Sequence, residues 1–107
     1  MTAPVVLLSP DEREEVCAIL GSILPPDVSA WVFGSRAGGN PKPWSDLDLV
    51  LEGDGVLPLS LLAELTEAFD ESALPWKVDL VDRRAITPQF RAIIDRDRMP
   101  LVWQGAA

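Results

Sequence analysis

Histidine and tyrosine are absent from this 107-residue chain, and it holds a single cysteine, Cys17. No imidazole is therefore on hand as a base or a metal ligand. One cysteine cannot close an internal disulfide, which points to a reducing compartment, and a cytoplasmic location is expected. Its place in a helical pattern makes Cys17 a small core residue rather than a nucleophile. Basic residues are also scarce, nine against 17 acidic ones, for a net charge of −8. A protein that grips a nucleic-acid backbone needs a basic surface, so direct nucleic-acid binding is not expected and a duplex-holding polymerase is disfavoured. A single nucleotide stays open, because bound divalent cations can meet its charge. No apolar run approaches the roughly 18 residues needed to cross a bilayer, and no membrane span is expected. Met1-Thr2-Ala3-Pro4 carries no basic region ahead of the short apolar run after it, so no signal peptide is expected.

What remains is ordinary for a globular protein, 48% hydrophobic and 24% charged, with the length of one domain over residues 1–107. Ser9-Pro10-Asp11-Glu12 predicts a helix start with a capping box, followed by Val16, Leu20, Ile23 and Leu24 at helical spacing and a stop at Pro25-Pro26. Strands are predicted over Val28 to Phe33, Leu47 to Glu52 and Trp76 to Asp82. A helix of about 14 residues carries Leu59, Leu62, Leu65, Ala68 and Phe69. Thr87-Pro88 caps a last helix bearing Phe90, Ile93 and Ile94, and Met99 to Trp103 reads as an extended tail or edge strand. Arg36 to Trp44 reads as loop, rich in glycine and proline. The order predicts an α/β (α+β) fold, a small mixed sheet covered by helices.

The chemistry lies in Gly34-Ser35, followed ten residues later by Ser45-Asp46-Leu47-Asp48-Leu49. Strand side chains alternate, so Asp46 and Asp48 share one face, about 6.6 Å apart along the strand, while Leu47 and Leu49 face the core. That spacing lets both carboxylates reach one ion, and magnesium is usually held by one or two carboxylates plus substrate phosphate. Asp79, inside Lys77-Val78-Asp79-Leu80-Val81, repeats the pattern of an aspartate between buried apolar neighbours and supplies a third carboxylate for a second ion. Asp82, at the strand end, does not. Gly34 permits close approach of backbone to a ligand, and Ser35 adds a hydroxyl donor where backbone N–H groups favour anions. Together these features read as metal-assisted phosphoryl or nucleotidyl transfer.

The run Gly34-Ser35-Arg36-Ala37-x-Gly39, then Ser45-Asp46-Leu47-Asp48-Leu49, then Val78-Asp79-Leu80-Val81, resembles the minimal nucleotidyltransferase family. That family belongs to the DNA polymerase beta-like superfamily, with its palm fold. The resemblance implies that Asp46, Asp48 and Asp79 bind two Mg2+ ions and that Asp79 lies nearest the attacking hydroxyl. It implies that Gly34 and Ser35 hold the terminal phosphates of ATP, with Arg36 as a further nucleotide contact. It also implies an antitoxin that transfers AMP to a tyrosine of a HEPN-domain toxin partner; having no tyrosine, the chain cannot label its own. A homo-oligomer stays open. One departure is Gly38, where the family usually has arginine, with Arg36 or Lys42 as the available replacements.

The readings weighed against catalysis are a module that neutralises its partner by occlusion and a small-molecule transferase, the latter lacking an acceptor-binding domain. Trp31 and Trp76, within predicted strands, read as core, whereas Trp44 sits in the loop beside the carboxylates. The C-terminal arginines Arg83, Arg84, Arg91, Arg96 and Arg98 alternate with Asp82, Asp95 and Asp97. They read as a solvated, self-paired helix face, with Arg91 to Asp95 at i,i+4.

Overall fold

A computed structural model describes residues 8–37, 42 and 44–101. Helix α1 (Pro10–Ile23) begins as its sequence dictates: the Ser9 hydroxyl accepts from the Glu12 N–H and the Glu12 carboxylate accepts from the Ser9 N–H. Proline at the first helical position has no amide to leave unsatisfied there. Strand β1 (Ser29–Phe33) follows, then a 3₁₀ turn over Gly34–Arg36, strand β2 (Leu47–Glu52), helix α2 (Leu59–Asp70) and strand β3 (Val78–Asp82). A second 3₁₀ turn, Arg83–Ala85, leads to helix α3 (Pro88–Asp97) and the short strand β4 (Met99–Pro100).

The sheet runs β3-β2-β1-β4. β1 pairs antiparallel with β2 and with β4, whereas β2 and β3 are parallel and joined through α2. A parallel pair needs such a crossover, because a tight turn can only reverse the chain. Ala30, Val32, Leu47, Leu49, Leu51 and Val78 line one face and pack with Val16, Leu20, Leu65 and Phe69 of α1 and α2. At about 25 cal/mol per Å² of apolar surface, this layer dominates the folding free energy.

The opposite face carries Asp48, Val50 and Glu52 of β2 with Asp79 and Val81 of β3. Here α3 packs with only part of its apolar set. Ile94 is buried, but Ile93 is 52% exposed and Phe90 meets only the rim, its ring edge-on to Phe33 at 6.0 Å. Charge adds to that burial. Arg83 bonds both Glu52 (3.2 Å) and Asp95 (2.9 Å), Arg98 reaches both carboxylates, and its guanidinium lies 4.1 Å from the Trp31 ring centroid. The i,i+4 pair expected between Arg91 and Asp95 is replaced. Asp95 takes Arg83 from outside the helix, and Arg91 donates to the carbonyls of Arg83 and Ile86. A partner that already sits in a fixed turn loses less side-chain freedom than two flexible chains on one helix face.

Boundaries shift modestly. Trp76 and Lys77 precede β3 rather than opening it, α2 has 12 residues, and β4 ends at Pro100. Burial pushes the Cys17 thiol up against a smaller opposing pull from Arg13, in keeping with an inert, half-buried core cysteine. No helix among the described residues is long and apolar enough to cross a membrane.

Candidate active site

β1 ends at Phe33 and the chain turns at once through Gly34, the residue with positive φ (+76°) among those described. Left-handed backbone costs an L-residue about 1–2 kcal/mol, and glycine escapes that cost. A second constraint acts at the same place. A Cβ on Gly34 would collide with the Oδ2 of Asp48 and come within 3.3 Å of its Cγ. The turn therefore lies flat against the first carboxylate of β2, with Ser35 exposed just beyond it.

Register completes the gathering. Asp48 is the cross-strand partner of Phe33 on one side and of Asp79 on the other. Neighbouring strands run about 4.8 Å apart, so the Asp48 and Asp79 carboxylates stand side by side on one face. Asp46, one residue ahead of β2, is exposed, as is Asp79, while Asp48 is half-buried between them. The Asp48 carboxyl is raised above its ordinary range, chiefly by burial and then by the charges of Asp79 and Asp46. None of the ion pairs among the described residues involves these three carboxylates.

The donor chemistry fits a small hard divalent cation: the carboxylates of Asp46 and Asp79 are exposed, and no ion pair among the described residues engages them. Among the described residues no three such side chains form a ready-made cage. Magnesium does not need one, because it keeps waters and shares its shell between one or two carboxylates and substrate phosphates.

Arg36, the expected nucleotide contact, is engaged by the protein itself. It is 5% exposed, and its guanidinium donates to the Ser45 carbonyl (2.9 and 3.1 Å) and to the Lys42 carbonyl (3.3 Å). It also lies 4.6 Å from the ring centroid of buried Trp76. Asp82 is occupied too, accepting from the Leu57 N–H (2.7 Å) and the Arg84 N–H (3.0 Å) in a buried position, which separates it from the carboxylate face. Trp44 is 69% exposed, with the Lys42 ammonium 5.7 Å from its ring centroid. Gly38 and Gly39 lie outside the described residues. Sequence reasoning did not single out Phe33, which faces the site beside Asp48; strand alternation with buried Val32 is the signal that would have found it.

Known proteins share the sequence and the fold. Residues 13–102 match the family described as Nucleotidyltransferase domain. The MntA protein of Haemophilus influenzae, named as a protein adenylyltransferase, is 44% identical over 87 residues, covering 78% of this chain and 76% of its own. A solved structure described as a minimal nucleotidyltransferase superposes with a TM-score of 0.63 at 33% identity, over 85% of this chain and 90% of that one. A Shewanella oneidensis complex of a tri-AMPylated HEPN toxin with an MNT antitoxin contains the same fold, with a TM-score of 0.59 and 20% identity over 84% and 71% of the two chains.

Proposed function

The chain belongs to the minimal nucleotidyltransferase family, and we propose that it transfers AMP from ATP to a hydroxyl, a tyrosine, of a HEPN-type toxin for which it is the antitoxin. The observation that carries this reading is the packing of the Gly34 turn against Asp48, which is itself in register with Asp79. A backbone able to receive phosphate and a pair of adjacent carboxylates thus share one edge of the sheet.

In the reaction, the acceptor oxygen attacks the α-phosphorus of ATP. An O–P bond forms, the α–β bridging P–O bond breaks, and pyrophosphate leaves with the bond's electron pair. Asp46, Asp48 and Asp79 would hold two Mg2+ ions, which when bound neutralise phosphate charge and stabilise the entering and leaving oxygens. The N–H groups of the Gly34–Arg36 turn and the Ser35 hydroxyl bind and orient the terminal phosphates. Asp79, which is exposed, orients the acceptor hydroxyl and takes its proton before releasing it to solvent. Asp48, half-buried beside Gly34, fixes the depth at which phosphate settles. Apolar Phe33 and Phe90 border the same face and give an incoming aromatic side chain a surface to rest on.

ATP labelled separately at its α- and γ-phosphates tests the reaction. With the toxin as acceptor, label from the α-phosphate should enter the protein and label from the γ-phosphate should not. Retention of γ label would mean phosphoryl transfer and would overturn the reading.

A further inference from the structure

We infer that Arg36 is a positioning residue: one buried guanidinium sets where Asp46 stands relative to the Gly34 turn and β3, and it does so without touching phosphate. The inference deepens the nucleotidyltransferase reading above and rests on it. Three chain segments meet at this side chain. Its own backbone lies in the 3₁₀ turn with Gly34 and Ser35, closed by the Ala37 N–H on the Gly34 carbonyl at 3.1 Å. Its Nε and one Nη converge on the carbonyl of Ser45, the residue immediately before Asp46. Its face lies on Trp76, three residues before Asp79.

The segment ahead of Asp46 needs such an anchor. Lys42 and Ser45 close a turn reciprocally, the Ser45 N–H donating to the Lys42 carbonyl at 3.0 Å and the Lys42 N–H to the Ser45 hydroxyl at 2.9 Å. Among the described residues the next backbone tie is the Leu47 N–H on the Lys77 carbonyl at 2.9 Å, where β2 begins. Arg36 spans the gap, because it holds both carbonyls of the turn (Lys42 and Ser45) from the core side. A planar fork with several fixed donors can do this and stack on an aromatic at once; an ammonium cannot. Charge-assisted hydrogen bonds of this kind are about twice as strong as neutral ones and fix direction as well as distance.

Groups that orient a ligand from behind typically change metal affinity by about 10- to 100-fold when removed. Arg36→Lys should therefore raise the Mg2+ concentration that half-saturates binding of a non-hydrolysable ATP analogue by about tenfold, read by titration calorimetry without turnover. At saturating Mg2+ the analogue's affinity should return to within about twofold of wild type, because no phosphate contact is lost. Ser45→Ala opens the same turn from its solvent side and leaves Arg36 in place. It should shift the Mg2+ requirement in the same direction by about threefold, and it carries the test if Arg36→Lys loses its cooperative melt.

An unchanged Mg2+ requirement in both variants would overturn the inference. So would a loss of affinity in Arg36→Lys that persists at saturating Mg2+ and grows from AMP to ADP to the triphosphate analogue, since that pattern marks a phosphate contact. A wild-type protein whose analogue binding ignores Mg2+ would overturn the nucleotidyltransferase reading itself, and this inference with it.

Discussion

Gly34→Ala probes the packing on which the site is built, and its cost can be worked from two independent terms. The residue sits at φ +76°, where an alanine pays about 1–2 kcal/mol for left-handed backbone. Its new Cβ would also run into the Asp48 carboxylate, whose Cγ lies 3.3 Å from the position it would take. Displacing a half-buried side chain from its rotamer adds about 1 kcal/mol. The sum is about 2–3 kcal/mol, and a domain of this size melts about 4–8 °C lower per kcal/mol. Thermal denaturation followed by circular dichroism should therefore show a drop of roughly 8–24 °C. The two terms separate in a double-mutant cycle. In an Asp48→Ala background the clash term vanishes and the backbone term stays, so the same substitution should cost about 1 kcal/mol less than in wild type. Purely additive effects would refute the contact between the turn and the carboxylate, and a melt of Gly34→Ala within about 2 °C of wild type would refute both terms.

Asp48→Asn should melt higher than wild type at neutral pH in EDTA. The folded carboxyl is raised above its ordinary value, so its stabilising contribution is present below the unfolded value of 3.8 and lost as pH rises through the folded one. The advantage of the amide should accordingly shrink as pH falls toward 4, and an advantage that grew on acidification would contradict the assignment. Asp82→Ala should cost about 2–3 kcal/mol in urea denaturation, because it strips the acceptor from the buried Leu57 N–H and from Arg84; a cost under about 0.5 kcal/mol would show that water replaces it. Ser9→Ala should lower stability by about 1 kcal/mol through loss of the capping box. Nucleotide binding, measured by calorimetry, should stay unchanged in that variant.

Local chemistry was the part of this fold open to reading from the chain. Ser9-Pro10-Asp11-Glu12 and Thr87-Pro88 name their own helix starts, because caps are satisfied within a few residues. Alternation placed Asp48 and Asp79 on one face between buried leucines and valines, and the parallel register brings the two side by side. What escaped depends on packing from a distance. Helical spacing marks Phe90, Ile93 and Ile94 alike, yet of the three only Ile94 is buried, and ion pairs join it in fixing α3 to the sheet. Arg83 wins Asp95 over Arg91 because a 3₁₀ turn presents it there, and no i,i+4 rule sees that turn. Arg36 looks like any loop arginine until Trp76 and the Ser45 carbonyl are seen around it. A buried cation is rare unless its donors are met, so only the folded chain reveals which arginine it is.

Intact-mass spectrometry of the toxin partner tests the central claim most directly. The toxin is incubated with ATP and Mg2+ together with wild type or Asp79→Ala, and its neutralisation is followed in parallel. Asp79 is exposed on the face opposite the apolar core, so its substitution leaves the fold largely as it is. A gain of one or more AMP units is expected with wild type, none with Asp79→Ala, and partner binding by both. No mass gain with either protein, alongside full neutralisation by both, would contradict it and leave an antitoxin that works by occlusion alone.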